Sequence, residues 1–241
     1  MKLTITRSER EFDETAAWRI IGQTLSKPDS VIGLSTGNTT GNMHAIVSEV
    51  YRLHPFATSR VTIFNVDELT NLPREYSGSC YTMIKTQLCD NIDIPEENFI
   101  MPPTLSDDFE AECVKFEQEL ERRGGRDLQM LGIGWNGHIG INQPGTPFGS
   151  RTWVSPMDPV FEERVRRETG VGPEHKLGGL TLGIATIMRT RRIVLIAKGK
   201  SKAEIIKKAV YGPVTPDIPA SVLQLHPDCE VLLDPGAASL L

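Results

Sequence analysis

Three loops of this chain concentrate side chains able to move protons or hold anions. The stretch LGIGWNGHIGINQPG (131–145) sets His138 among glycines, with Asn136, Asn142 and Gln143 nearby and no carboxylate. A histidine titrates near neutrality and can shuttle a proton; a loop histidine bonded to backbone would look the same. FNVDELTNLP (64–73) puts Asp67 and Glu68 directly after an apolar run. A carboxylate at a strand tip can act as a general base, and an aspartate there also starts turns. LSTGNTTGN (34–42) brings Thr36, Gly37, Asn38 and Thr39 to the start of a helix. Unpaired N–H groups and the helix dipole favour an anion at such a start, although an N-capped helix after a glycine turn accounts for the same letters. The glycine spacing fits neither a Walker loop nor a dinucleotide fingerprint. AKGKSKAEIIKKA places Lys198, Lys200 and Lys202 at another helix start. Lysine opposes the dipole there, a cost that a bound phosphate would reverse. Lys198 and Lys200 also read as solvated surface lysines.

Alternating strands and helices must position these loops. KLTIT (2–6) alternates like a half-exposed strand, and Ser8 with Glu11 forms a capping-box pattern opening a helix. SVIGL (30–34) reads as a buried strand. It precedes a helix over about 40–53, the strand RVTIFNV (60–66), a polar loop over 67–78 and a helix over about 79–91. NFIMP is a short strand, and 107–123 is an amphipathic helix ended by Gly124 and Gly125. DLQMLGIG (127–134) runs into the histidine loop. Residues 146–180 read as irregular, with a helix near 158–169. A short helix near Gly183, the strand RIVLIA (192–197), a helix after Ser201 and the strand CEVLLD (229–234) complete a single domain over 1–241. This order predicts an α/β fold of three layers, a mostly parallel sheet with helices on both faces, whose ligand lies beyond the carboxyl ends of the strands.

The bulk composition excludes several classes. The 241 residues carry a formal charge of -5 without a block of like charges. Arg189, Arg191 and Arg192 read as a solvated strand entry rather than a nucleic-acid patch. The four cysteines form no Cys-x-x-Cys pair and the five histidines are scattered, so no zinc site is expected. Reduced thiols, no apolar signal core and no run near the ~20 apolar residues of a membrane span predict a soluble, cytoplasmic protein.

Taken in order, GLSTGNTT, FNVDELTNLP, GIGWNGHIGINQPG, SRT (150–152), the lysine-bearing helix and LQLHP (223–227) resemble the glucosamine-6-phosphate deaminase family. That family shares a Rossmann-like fold with 6-phosphogluconolactonases. The likeness spans nearly the whole chain, and GHIGIN points to the deaminase branch. The resemblance implies that Thr36, Gly37, Asn38 and Thr39 cradle a sugar phosphate. Lys202 would neutralise it, helped by Arg166, chosen from 164–167 by its spacing to Thr181. Asp67 would move a proton between C2 and C1, and His138 would help open the pyranose ring. The implied reaction turns glucosamine or galactosamine 6-phosphate into a ketose 6-phosphate and ammonia, with no redox cofactor and no metal. The implied partner is this small amino-sugar phosphate; a homo-oligomer is left open, because monomers and hexamers both occur.

Two positions depart from the family pattern. Studied deaminases carry an acidic residue where this chain has Gln143, and often another where it has Asn136. A carboxylate beside His138 would stabilise imidazolium; an amide orients the ring but adds no charge. Slower or altered ring opening with retained binding is expected. Allosteric members have basic residues shortly after SRT, where this chain has Trp153 and Ser155, which speaks against activation by an amino-sugar phosphate. The competing readings are a lactonase-type hydrolase and a catalytically weak sugar-phosphate-binding paralogue.

Overall fold

The computed structural model describes residues 1–37, 39–157 and 159–241. Apolar runs form a seven-stranded sheet from β1 (Lys2–Ile5), β2 (Val31–Leu34), β3 (Thr62–Asn65), β5 (Phe99–Ile100), β6 (Leu128–Gly132), β9 (Arg192–Ala197) and β10 (Cys229–Leu233). Their order is β1-β10-β9-β6-β2-β3-β5, with every pairing parallel. Such strands are buried on both faces, and successive side chains point to opposite sides. In β9, Ile193, Leu195 and Ala197 join one apolar cluster while Val194 and Ile196 join another. The first cluster takes Phe116 and Leu120 of α4 (Phe109–Arg122), Ile184 and Ile187 of α6 (Ile184–Ile187) and Ile206 of α7 (Ala203–Tyr211). The second takes Phe12 and Ile20 of α1 (Glu9–Ser26), Met43 and Val47 of α2 (Gly41–Leu53) and Ile84 of α3 (Cys80–Gln87). The three-layer expectation is met.

Local chemistry sets the helix starts. Ser8 Oγ accepts the Glu11 N–H at 3.1 Å, and the Glu11 carboxylate accepts the Arg7 N–H at 2.7 Å, one residue earlier than a capping box would have it. Ser79 caps α3 by accepting the Thr82 N–H at 3.0 Å.

Two expectations are corrected. Within the loop expected over 67–78, Asp67–Thr70 forms strand β4; within the irregular stretch 146–180, β7 (Trp153–Pro156) and β8 (Gly178–Thr181) flank α5 (Pro159–Thr169). These strands make a separate antiparallel sheet in the order β4-β8-β7, pairing Asp67 with Thr181. DELT and GGLT carry no apolar alternation, so pairing partners over a hundred residues apart decide their conformation. Among the described residues no helix is long and apolar enough to cross a membrane.

Candidate active site

The carboxyl ends of β2, β3, β6 and β9 deliver the four loops. Neighbouring β2 and β6 are tied at this end, where Ser35 Oγ donates to Met130 O at 3.0 Å. A crevice beyond such strand ends is where open α/β sheets bind ligands.

Asp67 stands where the chain passes from β3 into the small sheet. It is half-buried, and Asn65 Nδ2 donates to its carbonyl at 2.6 Å and to Oδ1 at 3.3 Å. Burial, reinforced by the charge of Glu68, pushes its pKa up to about 7. Glu68, 1 % exposed, has a different task. Its carboxylate accepts the N–H groups of Leu69 (2.9 Å), Cys80 (3.1 Å) and Tyr81 (2.7 Å), capping the first turn of α3. Burial raises its pKa and the three N–H bonds oppose that rise.

His138 is held by amides. Its backbone N–H donates to Asn136 Oδ1 at 3.2 Å, which fixes that atom as oxygen. The ring Nδ1 lies 2.8 Å from the same oxygen and must therefore carry a proton, so that in the neutral tautomer Nε2 is the acceptor. Asn136 Nδ2 in turn donates to Gln143 Oε1 at 2.9 Å. The relay Gln143–Asn136–His138 thus orients the ring without a formal charge. Gly134 lies beneath the imidazole: a Cβ there would sit 2.2 Å from His138 Cε1 and 2.3 Å from Nδ1.

The histidine loop is fastened beside Asp67. Thr181, paired with Asp67 across the small sheet, accepts the Ile141 N–H at 3.2 Å, and the Leu182 N–H donates to Val66 O at 2.8 Å. Gly140 has φ 56, and a Cβ on it would lie 2.6 Å from Thr181 Oγ1; the tight apposition requires glycine. Buried Asn142 donates to Ile139 O (2.9 Å) and Leu182 O (2.8 Å) and accepts from Trp153 Nε1 (3.1 Å). Gln143 also lines a cleft of ≈ 450 Å³ with Pro144, Thr146, Trp153 and Met157.

The anion loop opens α2. Its N-cap, Thr40, makes no side-chain cap bond; the hydroxyl turns to Gly37 O at 3.1 Å. The first N–H groups of α2 therefore take no capping oxygen from Thr40. Thr36 Oγ1 lies 3.0 Å from Cys80 Sγ, and Sγ donates to Asp67 Oδ1 at 3.7 Å, so a buried thiol links anion loop and base. Thr39 is half-buried, and Asn38 lies outside the described residues. Lys202 Nζ donates to Ile133 O at 2.7 Å, at the entry of the histidine loop, and burial lowers its pKa. Lys200 is exposed. Lys198 departs from the solvated-lysine reading: it pairs with Asp13 at 3.2 Å, and Asp13 also accepts from Asn42 Nδ2 at 3.0 Å. That cluster fixes the start of α2 against α1 and β9.

Arg166 is committed elsewhere. Its guanidinium bonds Glu162 Oε1 (3.0 and 2.6 Å), Gly172 O (2.5 Å) and His175 O (2.8 Å), bracing α5 against the loop that follows. Cys80 and Thr181 are the participants that sequence reasoning missed, since their partners are fixed only by tertiary pairing. Among the described residues no group of three or more His, Cys, Asp or Glu is placed to hold a metal ion.

The family model for "Glucosamine-6-phosphate isomerases/6-phosphogluconolactonase" matches residues 14–232. The chain belongs to this family. Within the glucosamine-6-phosphate isomerase/6-phosphogluconolactonase family, it is 36% identical over 241 residues to glucosamine-6-phosphate deaminase of Clostridium botulinum (strain Loch Maree / Type A3), covering 100% of this chain and 99% of the relative. The deaminase of Bacillus pumilus (strain SAFR-032) is 37% identical over 240 residues, covering 100% of both chains. A solved structure of a monomeric glucosamine-6-phosphate deaminase superposes with a TM-score of 0.90 at 36% identity, covering 100% of both chains. The 6-phosphogluconolactonase of Trypanosoma brucei shares the fold, with a TM-score of 0.77 at 19% identity over 100% of this chain and 98% of that one.

Proposed function

We propose that this chain is an amino-sugar-6-phosphate deaminase/isomerase, converting glucosamine 6-phosphate or galactosamine 6-phosphate to a ketose 6-phosphate and ammonia. The observation that carries the reading is Asp67: a half-buried carboxylate with a pKa near 7, apposed through Thr181 to the loop of His138. Full-length identity of 36% to deaminases, against 19% to a lactonase of the same fold, supports the deaminase side.

The chemistry follows from the geometry. The sugar's phosphate dianion seats on the start of α2, with Thr36, Gly37 and Thr39 around it and Lys202 as the counter-charge. This remote binding energy holds the reacting carbons against the base. His138 Nε2 takes the proton of the anomeric hydroxyl and returns it to the ring oxygen as the C1–O5 bond breaks. Asp67, ionised, then removes the C2 proton and delivers it to C1, while the C2 ammonium gives a proton to O1, so that the aldehyde becomes an alcohol and the C2–N bond a ketiminium. Water adds to the ketiminium and ammonia leaves. Acid–base help of this kind is worth about 10²–10⁴-fold. The related solved enzyme is a monomeric glucosamine-6-phosphate deaminase, which supports a site completed by one chain.

The test is an ammonia assay over hexosamine 6-phosphates, with Asp67→Asn as control. Ammonia release that Asp67→Asn abolishes, with phosphosugar binding retained, is the expected outcome. Binding without turnover in the native chain would instead mark a non-catalytic paralogue, the reading that the uncharged amides at 136 and 143 favour.

A further inference from the structure

The active site occupies the carboxyl ends of the strands. At the opposite end, where β6 and β9 begin, a pocket of ≈ 230 Å³ is lined by Glu121, Gly124, Gly125, Arg126, Arg189 and Arg191. Arg126 is 2 % exposed, although a charged side chain is rarely buried without full pairing. Its Nη2 donates to Thr186 O at 3.2 Å, while Nε and Nη1 have no hydrogen-bond partner. Nη1 is 3.2 Å from Glu121 Oε1, an ion-pair contact to a carboxylate that is itself 57% exposed. Arg191 is already paired: Nη1 bonds Asp127 Oδ1 at 2.6 Å and Nη2 bonds Gly124 O at 2.9 Å. Lys27 takes the other oxygen of Asp127 at 2.6 Å. Arg189 is exposed and lowers the pKa of Arg126 as a neighbouring like charge, a smaller effect than burial. Gly125 takes φ 83, a left-handed conformation that favours glycine at this rim of the pocket.

Two guanidiniums therefore converge on a small cavity whose one lining carboxylate is Glu121; Arg126 is buried, with Nε unpartnered and Nη1 held only by the ion-pair contact to Glu121. An unsatisfied buried donor calls for a physical reason, and a missing counter-ion is one of the few available. Arginine forks match the oxygens of phosphate with paired, charge-assisted bonds. We propose that this pocket binds a phosphate-class dianion, independently of the catalytic anion loop, with Arg126 and Arg189 as its charged ligands. The shared chemistry is the phosphate group, supplied by free phosphate or by a phosphomonoester. The proposal stands whether or not the chain deaminates amino sugars.

The test is calorimetric titration of the intact protein with inorganic phosphate at low salt. Arg189→Ala, an exposed substitution outside the catalytic loops, should remove one bound phosphate per chain or weaken it by about tenfold or more, and Arg189→Lys should restore much of that binding. Lys202→Ala should leave this same binding in place. Arms with glucose 6-phosphate identify the source: equal binding to the Lys202→Ala protein assigns a phosphomonoester, and binding of inorganic phosphate alone assigns the free ion. Phosphate stoichiometry and affinity unchanged by Arg189→Ala, or abolished altogether by Lys202→Ala, would overturn the proposal.

Discussion

Gln143→Glu tests whether the uncharged relay limits ring opening. Glutamate at 143 keeps the acceptor for Asn136 Nδ2, now 2.9 Å from Gln143 Oε1, and Asn136 Oδ1 keeps its 2.8 Å contact with His138 Nδ1. The change adds one negative charge roughly 7 Å from the ring, two hydrogen bonds away. The cleft beside Gln143 admits water, so an effective dielectric of about 20–40 applies, and the attraction to a transient imidazolium is about 1–2 kcal/mol. That converts to about 5- to 30-fold in the step that forms the cation. Saturating ammonia-release rates for the native and Gln143→Glu proteins read it directly. A double-mutant cycle isolates the route: in an Asn136→Ala background the hydrogen bonds that hold the carboxylate near the ring are lost, and the gain should shrink. If Gln143→Glu leaves kcat unchanged, or raises it equally without Asn136, the relay argument fails.

The remaining predictions concern the base, its neighbour and the floor of the histidine. With Asp67 held near pH 7 and required ionised, kcat/KM should fall about tenfold per pH unit below about 7; a profile flat down to pH 5 would remove Asp67 as the base. Because the folded pKa exceeds the unfolded value of about 3.9, ionised Asp67 costs stability that is absent below about pH 4 and complete above about 7. Asp67→Asn should therefore stabilise the fold by on the order of 2–4 kcal/mol at pH 8 and hardly at all at pH 4, a difference that urea melts at the two pH values resolve. Glu68→Ala strands three buried N–H groups and should cost about 3–5 kcal/mol in the same melts. Gly134→Ala must displace the imidazole; kcat should drop about 10²-fold while KM moves little, and equal loss in both would point to a collapsed loop.

The parallel strands were legible from apolar runs bounded by turn residues, and β1 from its alternation; the helices were legible because their caps are local: Ser8 and Ser79 sit at their N-termini and bond within three residues. The small sheet was not legible. Asp67–Thr70 is polar in letters yet strand in conformation, because Gly178–Thr181 supplies its ladder from across the chain. Asn136, His138 and Gln143 are near in sequence, so their association could be read there. The link from Thr36 through Cys80 to Asp67 spans three elements and carries no local signal. Arg166, chosen by spacing for the phosphate role that the resemblance implied, bonds instead to Glu162, one turn earlier, and to two carbonyls, contacts that carry no local signal in the sequence.

Asp67 and Glu68 illustrate how one dipeptide yields two functions. Both are carboxylates beside the same strand end, and both are pushed toward neutrality by burial. Glu68 points back into the protein, where the N–H groups at the start of α3 stabilise its charge and immobilise it. A carboxylate so bonded has its lone pairs occupied and is poorly placed to take a proton from carbon. Among the described residues Asp67 Oδ1 receives the Asn65 amide and a long thiol contact, so its charge is weakly compensated and repelled by Glu68. Weak compensation is what makes a good base near neutral pH, because the ionised form gains more from accepting a proton. On the proposed reading, the structural carboxylate tunes the base: the charge of Glu68, when ionised, is the second of the two causes that lift the Asp67 pKa, and its loss would make Asp67 abstract protons less readily.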